Sequence, residues 1–273
     1  MEIQSMQTTP STQIVKIGDT LIGGNAFTVI AGPCSIESRE QFIEVAEAVK
    51  ASGASLLRGG IWKMRTSAKS FQGLGADAFG MVKEVLKQTN MHLVSEVTDP
   101  RQIEELYDVV SCFQVGSRNM HNYSLLKELG KQDKPVMIKR GFAALIEEWI
   151  KAADYVTNGG NNQVILCERG IRTFETATRN TLDLNAVVYA KKNSPFPVIV
   201  DPSHAVGISA LVPDLCIAAA ACGADGLIVE VHPRPAEALS DGQQALTPAV
   251  FAETMNKITR VLAALDRPLN RAK

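Results

Sequence analysis

The sequence predicts an α/β protein built as a single (β/α)8 TIM barrel with a short N-terminal β-hairpin, and three observations carry that prediction. Short apolar runs recur eight times, each followed by a turn and a stretch of helical length, the alternation that parallel strands joined by helices require. The runs are almost unbroken by polar residues, as strands covered on both faces must be. The chain has 273 residues, and such a barrel takes about 250. The runner-up, an open doubly wound sheet, binds a dinucleotide at a glycine-rich first turn. The first turn here is Gly32-Pro33-Cys34, where proline removes an N–H and no G-x-G-x-x-G follows.

Taken in order, residues 1–12 read as disordered. Residues 13–17 and 20–22, split by Gly18-Asp19, read as a hairpin that could plug the bottom of the barrel. The strands are predicted at 27–31, 55–58, 92–96, 112–115, 135–138, 163–167, 197–200 and 226–229. The helices are predicted at 39–51, 78–88, 123–129, 143–155, 182–191, 211–222 and 248–265, with Ser38 capping the first and Asp99 capping a further one after the third strand. Residues 267–273 read as a solvated tail. The domain division is therefore 1–25 tail and hairpin, 26–267 barrel, 268–273 tail.

Composition is that of an ordinary globular protein, 45% hydrophobic and 21% charged with a net charge of -1. Nothing in that balance argues for a nucleic-acid footprint. No apolar run reaches the roughly 20 residues a membrane span needs, and residues 1–12 lack the apolar core of a signal peptide. Five cysteines without a C-x-x-C pair suit core thiols in a reducing compartment, so the expected location is the cytoplasm.

Function in such barrels is carried by the C-terminal strand ends. Those ends deliver Cys34, Arg58 with Lys63 and Arg65, Glu96, Arg118, Lys139, Arg169, His204, and Glu230 with Asp241. Two sets emerge. Cys34, His204, Glu230 and Asp241 come from the first, seventh and eighth strands, neighbours once a barrel closes. Singly they could be a structural thiol, a helix-capping histidine and solvated acids. Together, a mixed sulfur, nitrogen and oxygen set suits a divalent metal ion: manganese, iron, cobalt or zinc. The second set is Arg58, Lys63, Arg65, Arg118, Lys139 and Arg169. Crowded cations call for anions, and phosphate is what arginine recognises bidentately. Glu96 is an acid/base or a support for a neighbouring cation, or else it forms a salt bridge to Arg58 or Arg118. Arg140 should point away from Lys139 and pair outside the pocket. His92 starts a strand and belongs to the opposite end.

Seven stretches in this order resemble the type I 3-deoxy-D-arabino-heptulosonate 7-phosphate (DAHP) synthases, most closely their beta subclass. They are Gly32-Pro33-Cys34-Ser35-Ile36-Glu37-Ser38, Lys63-x-Arg65-Thr66-Ser67 with Ser70-Phe71-Gln72-Gly73-Leu74-Gly75, and Gly116-x-Arg118-Asn119-Met120. The others are Lys134-Pro135-Val136-x-x-Lys139-Arg140-Gly141, Cys167-Glu168-Arg169-Gly170, Asp201-Pro202-Ser203-His204, and Glu230-Val231-His232-Pro233 with Ser240-Asp241-Gly242.

The resemblance implies condensation of phosphoenolpyruvate with erythrose 4-phosphate, the first step of the shikimate pathway. It assigns the metal to Cys34, His204, Glu230 and Asp241. It gives phosphoenolpyruvate to Arg118, Lys139 and Arg169, with Arg58 and Lys63 near its carboxylate, and erythrose 4-phosphate to Lys63, Arg65 and Thr66. Lys63, Glu96, Cys34 and His204 are the candidate catalytic residues, and a homo-oligomer, dimer or tetramer, is expected. One departure stands out: Met64 occupies the place where the family usually has proline. Little chain precedes the first strand, so insensitivity to aromatic amino acids is expected. The rivals are 3-deoxy-D-manno-octulosonate 8-phosphate synthase, a paralogue using another aldose phosphate, and a Schiff-base aldolase using Lys139.

Overall fold

The structure, a computed structural model, describes residues 12–272. Predicted disorder over 1–12 therefore lies, but for its last residue, outside the described residues.

A hairpin of β1 (Val15–Ile17) and β2 (Thr20–Ile22) comes first. The strands that follow are β3 (Thr28–Gly32), β4 (Leu56–Arg58), β5 (Leu93–Glu96), β6 (Cys112–Val115), β7 (Val136–Lys139), β8 (Val164–Glu168), β9 (Val198–Val200) and β10 (Gly226–Glu230). They pair in parallel and close as β10-β3-β4-β5-β6-β7-β8-β9. The helices are α1 (Arg39–Ala51), α2 (Phe79–Thr89), α3 (Gln102–Tyr107), α4 (Tyr123–Gly130), α5 (Ile146–Thr157), α6 (Leu184–Asn193), α7 (Pro202–Val206), α8 (Val212–Ala221) and α9 (Pro248–Ala264). None among the described residues is long and apolar enough to cross a membrane.

The period of two along each strand divides the core. Residues such as Val29, Leu57, Phe113, Val136 and Ile138 face the helices. The alternate residues Ile30, Leu56, Val94, Cys112, Met137, Ile165, Ile199 and Ile228 fill the barrel interior together with Val15, Ile17 and Ile22 of the hairpin. The hairpin is thus the predicted plug, sealing one end with aliphatic side chains. Two residues further along each strand, the same face carries Gly32, Arg58, Glu96, Gln114, Lys139 and Glu230. An apolar layer therefore supports a mostly polar one, and the site is built on the latter.

Several boundaries differ from expectation by one residue because the ladder continues into this polar layer. Gly32, Lys139, Glu168 and Glu230 are strand residues. At Gly32, φ is +152° and a Cβ would lie 2.2 Å from the Arg58 carbonyl oxygen, so only glycine lets the two strands close there. Asp99 does not cap α3 from the N-cap position; it accepts the Arg101 N–H, while Gln102 Oε1 takes the N–H groups of Thr98 and Asp99. The segment after α9 is not freely solvated. Leu269 bridges Phe27, and the N–H groups of Phe27 and Asn270 bond to Pro268 and Phe27 carbonyls.

Candidate active site

Cys34 follows β3 in a turn whose carbonyl accepts the Gly60 N–H. His204 rides on α7, a five-residue helix absent from the predicted elements, with Asp201 as N-cap and Pro202 in its first turn. Glu230 ends β10, and Asp241 sits at φ +51° in the loop beyond it. These four residues each bring one donor atom within 4.8 Å of the others.

Their electrostatics suit a cation. Burial pushes the Cys34 thiol up to about 12, helped by the Glu230 charge, and its Sγ donates to Asp241 Oδ2 at 3.3 Å. Burial opposes ionisation of Asp241, but His204, the Cys34 hydrogen bond and Arg65 outweigh it and hold its carboxyl at about 2. Burial lowers His204 against the pull of Asp201 and Glu230. Asp201 Oδ2 lies 2.8 Å from His204 Nδ1, which leaves Nε2, 3.2 Å from Glu230 Oε1, as the free lone pair. Glu230 Oε1 is buried without a well-formed hydrogen bond. A soft thiol, an imidazole oriented by a carboxylate, and two carboxylates converging within 4.8 Å fit a divalent ion.

Beside this cluster lies a cavity of about 270 Å³ lined by Lys63, Met64, Arg65, Thr66, Arg118, Lys139, Arg169, His204, Asp241 and Glu96, among others. Most of the predicted cations are paired. Lys63 lies 3.3 Å from Glu96, so Glu96 supports Lys63 in place of Arg58 or Arg118. A Cβ at Gly116 would fall 2.1 Å from Glu96 Oε1, so that glycine makes room for the carboxylate. Lys139 Nζ is 2.5 Å from Asp201 Oδ2, and Arg65 is 3.5 Å from Asp241. Arg118 donates to Thr66 Oγ1 at 3.2 Å. Arg169 donates to the His204 and Gly170 carbonyls, and burial pushes it down to about 10.

Arg58 departs from a simple wall position. It is 3% exposed, donates to the Pro33 and Cys34 carbonyls, and lies 3.1 Å from Glu230. It braces the donor cluster from below, with Nη1 buried and unpartnered. Arg140 pairs with Glu168 and Asp183 outside the cavity, as predicted. His92 bonds Ser111 at the plugged end. His232 Nε2 faces Glu37 at 3.4 Å.

Sequence reasoning missed Gln114, Ser117, Phe142 and Arg179, which also line the cavity, and the support role of Asp201. Gln114 and Asp201 were findable: each lies two residues past an interior apolar residue, Cys112 and Ile199. Arg179, which donates to Gln244 Oε1, sits in a loop with no periodic signal.

Comparison with known proteins agrees with this geometry. Residues 5–264 match the DAHP synthetase I family. The chain is 45% identical over 261 residues to a phospho-2-dehydro-3-deoxyheptonate aldolase of Thermotoga maritima, spanning 96% of this chain and 77% of that one. It is 31% identical over 247 residues to a 2-dehydro-3-deoxyphosphooctonate aldolase of Francisella philomiragia, spanning 84% and 89%. The crystal structure of a Thermotoga maritima DAHP synthase superposes with a TM-score of 0.92 at 44% identity, covering 95% of this chain and 76% of that one. A match that runs through every strand of the barrel places the chain in the DAHP synthetase I family.

Proposed function

We propose that the cavity condenses phosphoenolpyruvate with erythrose 4-phosphate to give DAHP and inorganic phosphate, the entry step of the shikimate pathway. The observation that carries this reading is the four-donor cluster opening onto a cavity walled by cations. The greater identity to the heptonate aldolase than to the octonate aldolase favours the seven-carbon product. Lys139 is engaged by Asp201 rather than free to attack a carbonyl, which disfavours a Schiff base.

In this reading Arg118, Lys139 and Arg169 hold the phosphate of phosphoenolpyruvate, and Lys63, with Arg58 buried behind it, is near its carboxylate. Arg65 and Thr66 take the aldose phosphate at the rim. Cys34, His204, Glu230 and Asp241 would hold a divalent ion, manganese first and iron, cobalt or zinc next, which when bound would supply Lewis-acid polarisation of the aldehyde oxygen. The enol carbon forms the new C–C bond to the aldehyde carbon. Water then adds at C2, and the C2–O bond to phosphate breaks. Burial opposes protonation of Lys63, yet the Cys34 and Glu96 charges overcome it and raise its pKa. The Lys63–Glu96 pair thereby keeps a proton at the edge where the aldehyde oxygen becomes a hydroxyl. The guanidiniums stabilise the charge that builds on the departing phosphate.

The reading extends to the beta subclass, on the ordered motifs; to residues 26–267 as one catalytic barrel; and to a cytoplasmic enzyme, on five free thiols. It also includes a homo-oligomer, dimer or tetramer, with side chains such as Phe174, 98% exposed, available for contact. The test is a condensation assay with phosphoenolpyruvate and several aldose phosphates, with and without chelator. Phosphate release should require erythrose 4-phosphate and a divalent ion. Turnover in fully chelated enzyme, or a strict preference for a five-carbon aldose phosphate, refutes the reading.

A further inference from the structure

The cations of the cavity are held in two different ways. Lys63, Arg65 and Lys139 each lie on a carboxylate. Arg118 and Arg169 share an aromatic ring instead, together with Arg172, an exposed residue outside the cavity lining. Their guanidinium carbons lie 5.4, 4.7 and 4.9 Å from the centroid of Phe142. Their other contacts are neutral: the Thr66 hydroxyl for Arg118, and backbone carbonyls for Arg169. Phe142 itself follows β7, and its carbonyl accepts the Arg172 N–H at 2.7 Å, which ties the ring to the loop after β8.

Three like charges this close repel one another. A carboxylate would hold them together but would also neutralise them. The face of an aromatic ring attracts cations through its quadrupole and takes away no net charge. We propose that Phe142 is a positioning residue for the phosphorylated substrate: its ring gathers Arg118 and Arg169 so that their full charge is directed at a phosphate group, with Arg172 adding its charge from outside the cavity wall. This rests on the reading of the cavity as a phosphoenolpyruvate site.

The test uses Phe142→Leu, which removes the ring and keeps apolar bulk, and Phe142→Tyr, which keeps the ring. Phosphoenolpyruvate and inorganic phosphate are each titrated calorimetrically into the manganese-loaded enzyme. Phe142→Leu should weaken phosphoenolpyruvate binding roughly tenfold, the loss of two or three weak cation–π contacts, and Phe142→Tyr should restore it to within about threefold. KM for phosphoenolpyruvate should rise by more than kcat falls in Phe142→Leu, a split that general loosening of the site would not give. Arg172→Ala should weaken binding and reduce its salt dependence; no change in either removes Arg172 from the proposal. Equal weakening by Leu and Tyr, or wild-type affinity in Phe142→Leu, overturns the proposal while leaving the phosphoenolpyruvate reading intact. Wild-type enzyme that binds phosphate but not phosphoenolpyruvate sinks that reading, and the Leu-to-Tyr comparison on phosphate then still decides what the ring does. If Phe142→Leu does not fold, Phe142→Met takes its place.

Discussion

Replacing Cys34 by alanine should weaken metal binding by about two to three orders of magnitude. The site has four protein donors, and one donor atom of each lies within 4.8 Å of the rest. Four-ligand structural zinc sites bind their ion with about 10–16 kcal/mol, an upper scale for a manganese site. A quarter share is about 2.5–4 kcal/mol, and each 1.4 kcal/mol is about tenfold. The thiol also fixes the pH dependence. Burial pushes it up to about 12, so at neutral pH it carries a proton that the ion must displace. Binding therefore releases a proton, and affinity should rise about tenfold per pH unit through the neutral range. His204, which burial pushes down, is already neutral there and adds no second proton. Mn²⁺ calorimetry in two buffers of different ionisation heat counts the protons directly. The wild type should release one and Cys34→Ala none. Cys34→Ala affinity within threefold of wild type, or no proton release from the wild type, would refute the reasoning.

Three further outcomes follow from geometry. Arg65→Ala removes a charge-assisted contact worth about 1.5–3 kcal/mol, so KM for erythrose 4-phosphate should rise at least about tenfold; an effect confined to phosphoenolpyruvate would mean Arg65 is misplaced. Arg140→Ala strands the fully buried Glu168 and should cost about 3–5 kcal/mol in urea unfolding. Glu168 is already raised above the usual carboxylate range, by burial first. Its folded form binds a proton more tightly than its unfolded form, so acidification should narrow the gap between mutant and wild type; a pH-independent gap excludes the stranded charge as its cause. Ile17→Ala opens the plugged end at a fully buried position and should cost about 2–5 kcal/mol, seen as a lower urea midpoint with kcat nearly unchanged; a matching loss of kcat would mean the plug shapes the site.

The fold was legible because each strand is a short, almost unbroken apolar run, buried on both faces, followed by a turn and a stretch of helical length. The donor cluster was legible because Cys34, Glu230 and Asp241 stand at strand ends or in the loops just past them, where polar side chains have no part in packing. Strand ends were less so, since Lys139 and Glu230 look like loop residues until the ladder is seen to include them. The helix that carries His204 has five residues, too few to show a period, although Asp201 and Pro202 are a fair starting signal. Phe142 and Arg179 could not be placed because loops obey closure, not periodicity. Arg58 was grouped with the rim cations, but its position beneath Glu230 depends on a pairing across the barrel that spacing along the chain does not encode.

The aliphatic seal formed by Val15, Ile17 and Ile22 gives the chamber one doorway. Traffic through a blind-ended vessel is last in, first out. Lys139, 4% exposed, stands deep, whereas Thr66 is exposed at the lip. On the reading proposed above, the guest seated on Lys139 arrives before the one that rests on Thr66, because the second then lies between the first and the doorway. The same queue runs in reverse when the chamber empties: whatever occupies the lip has to go before anything beneath it can leave.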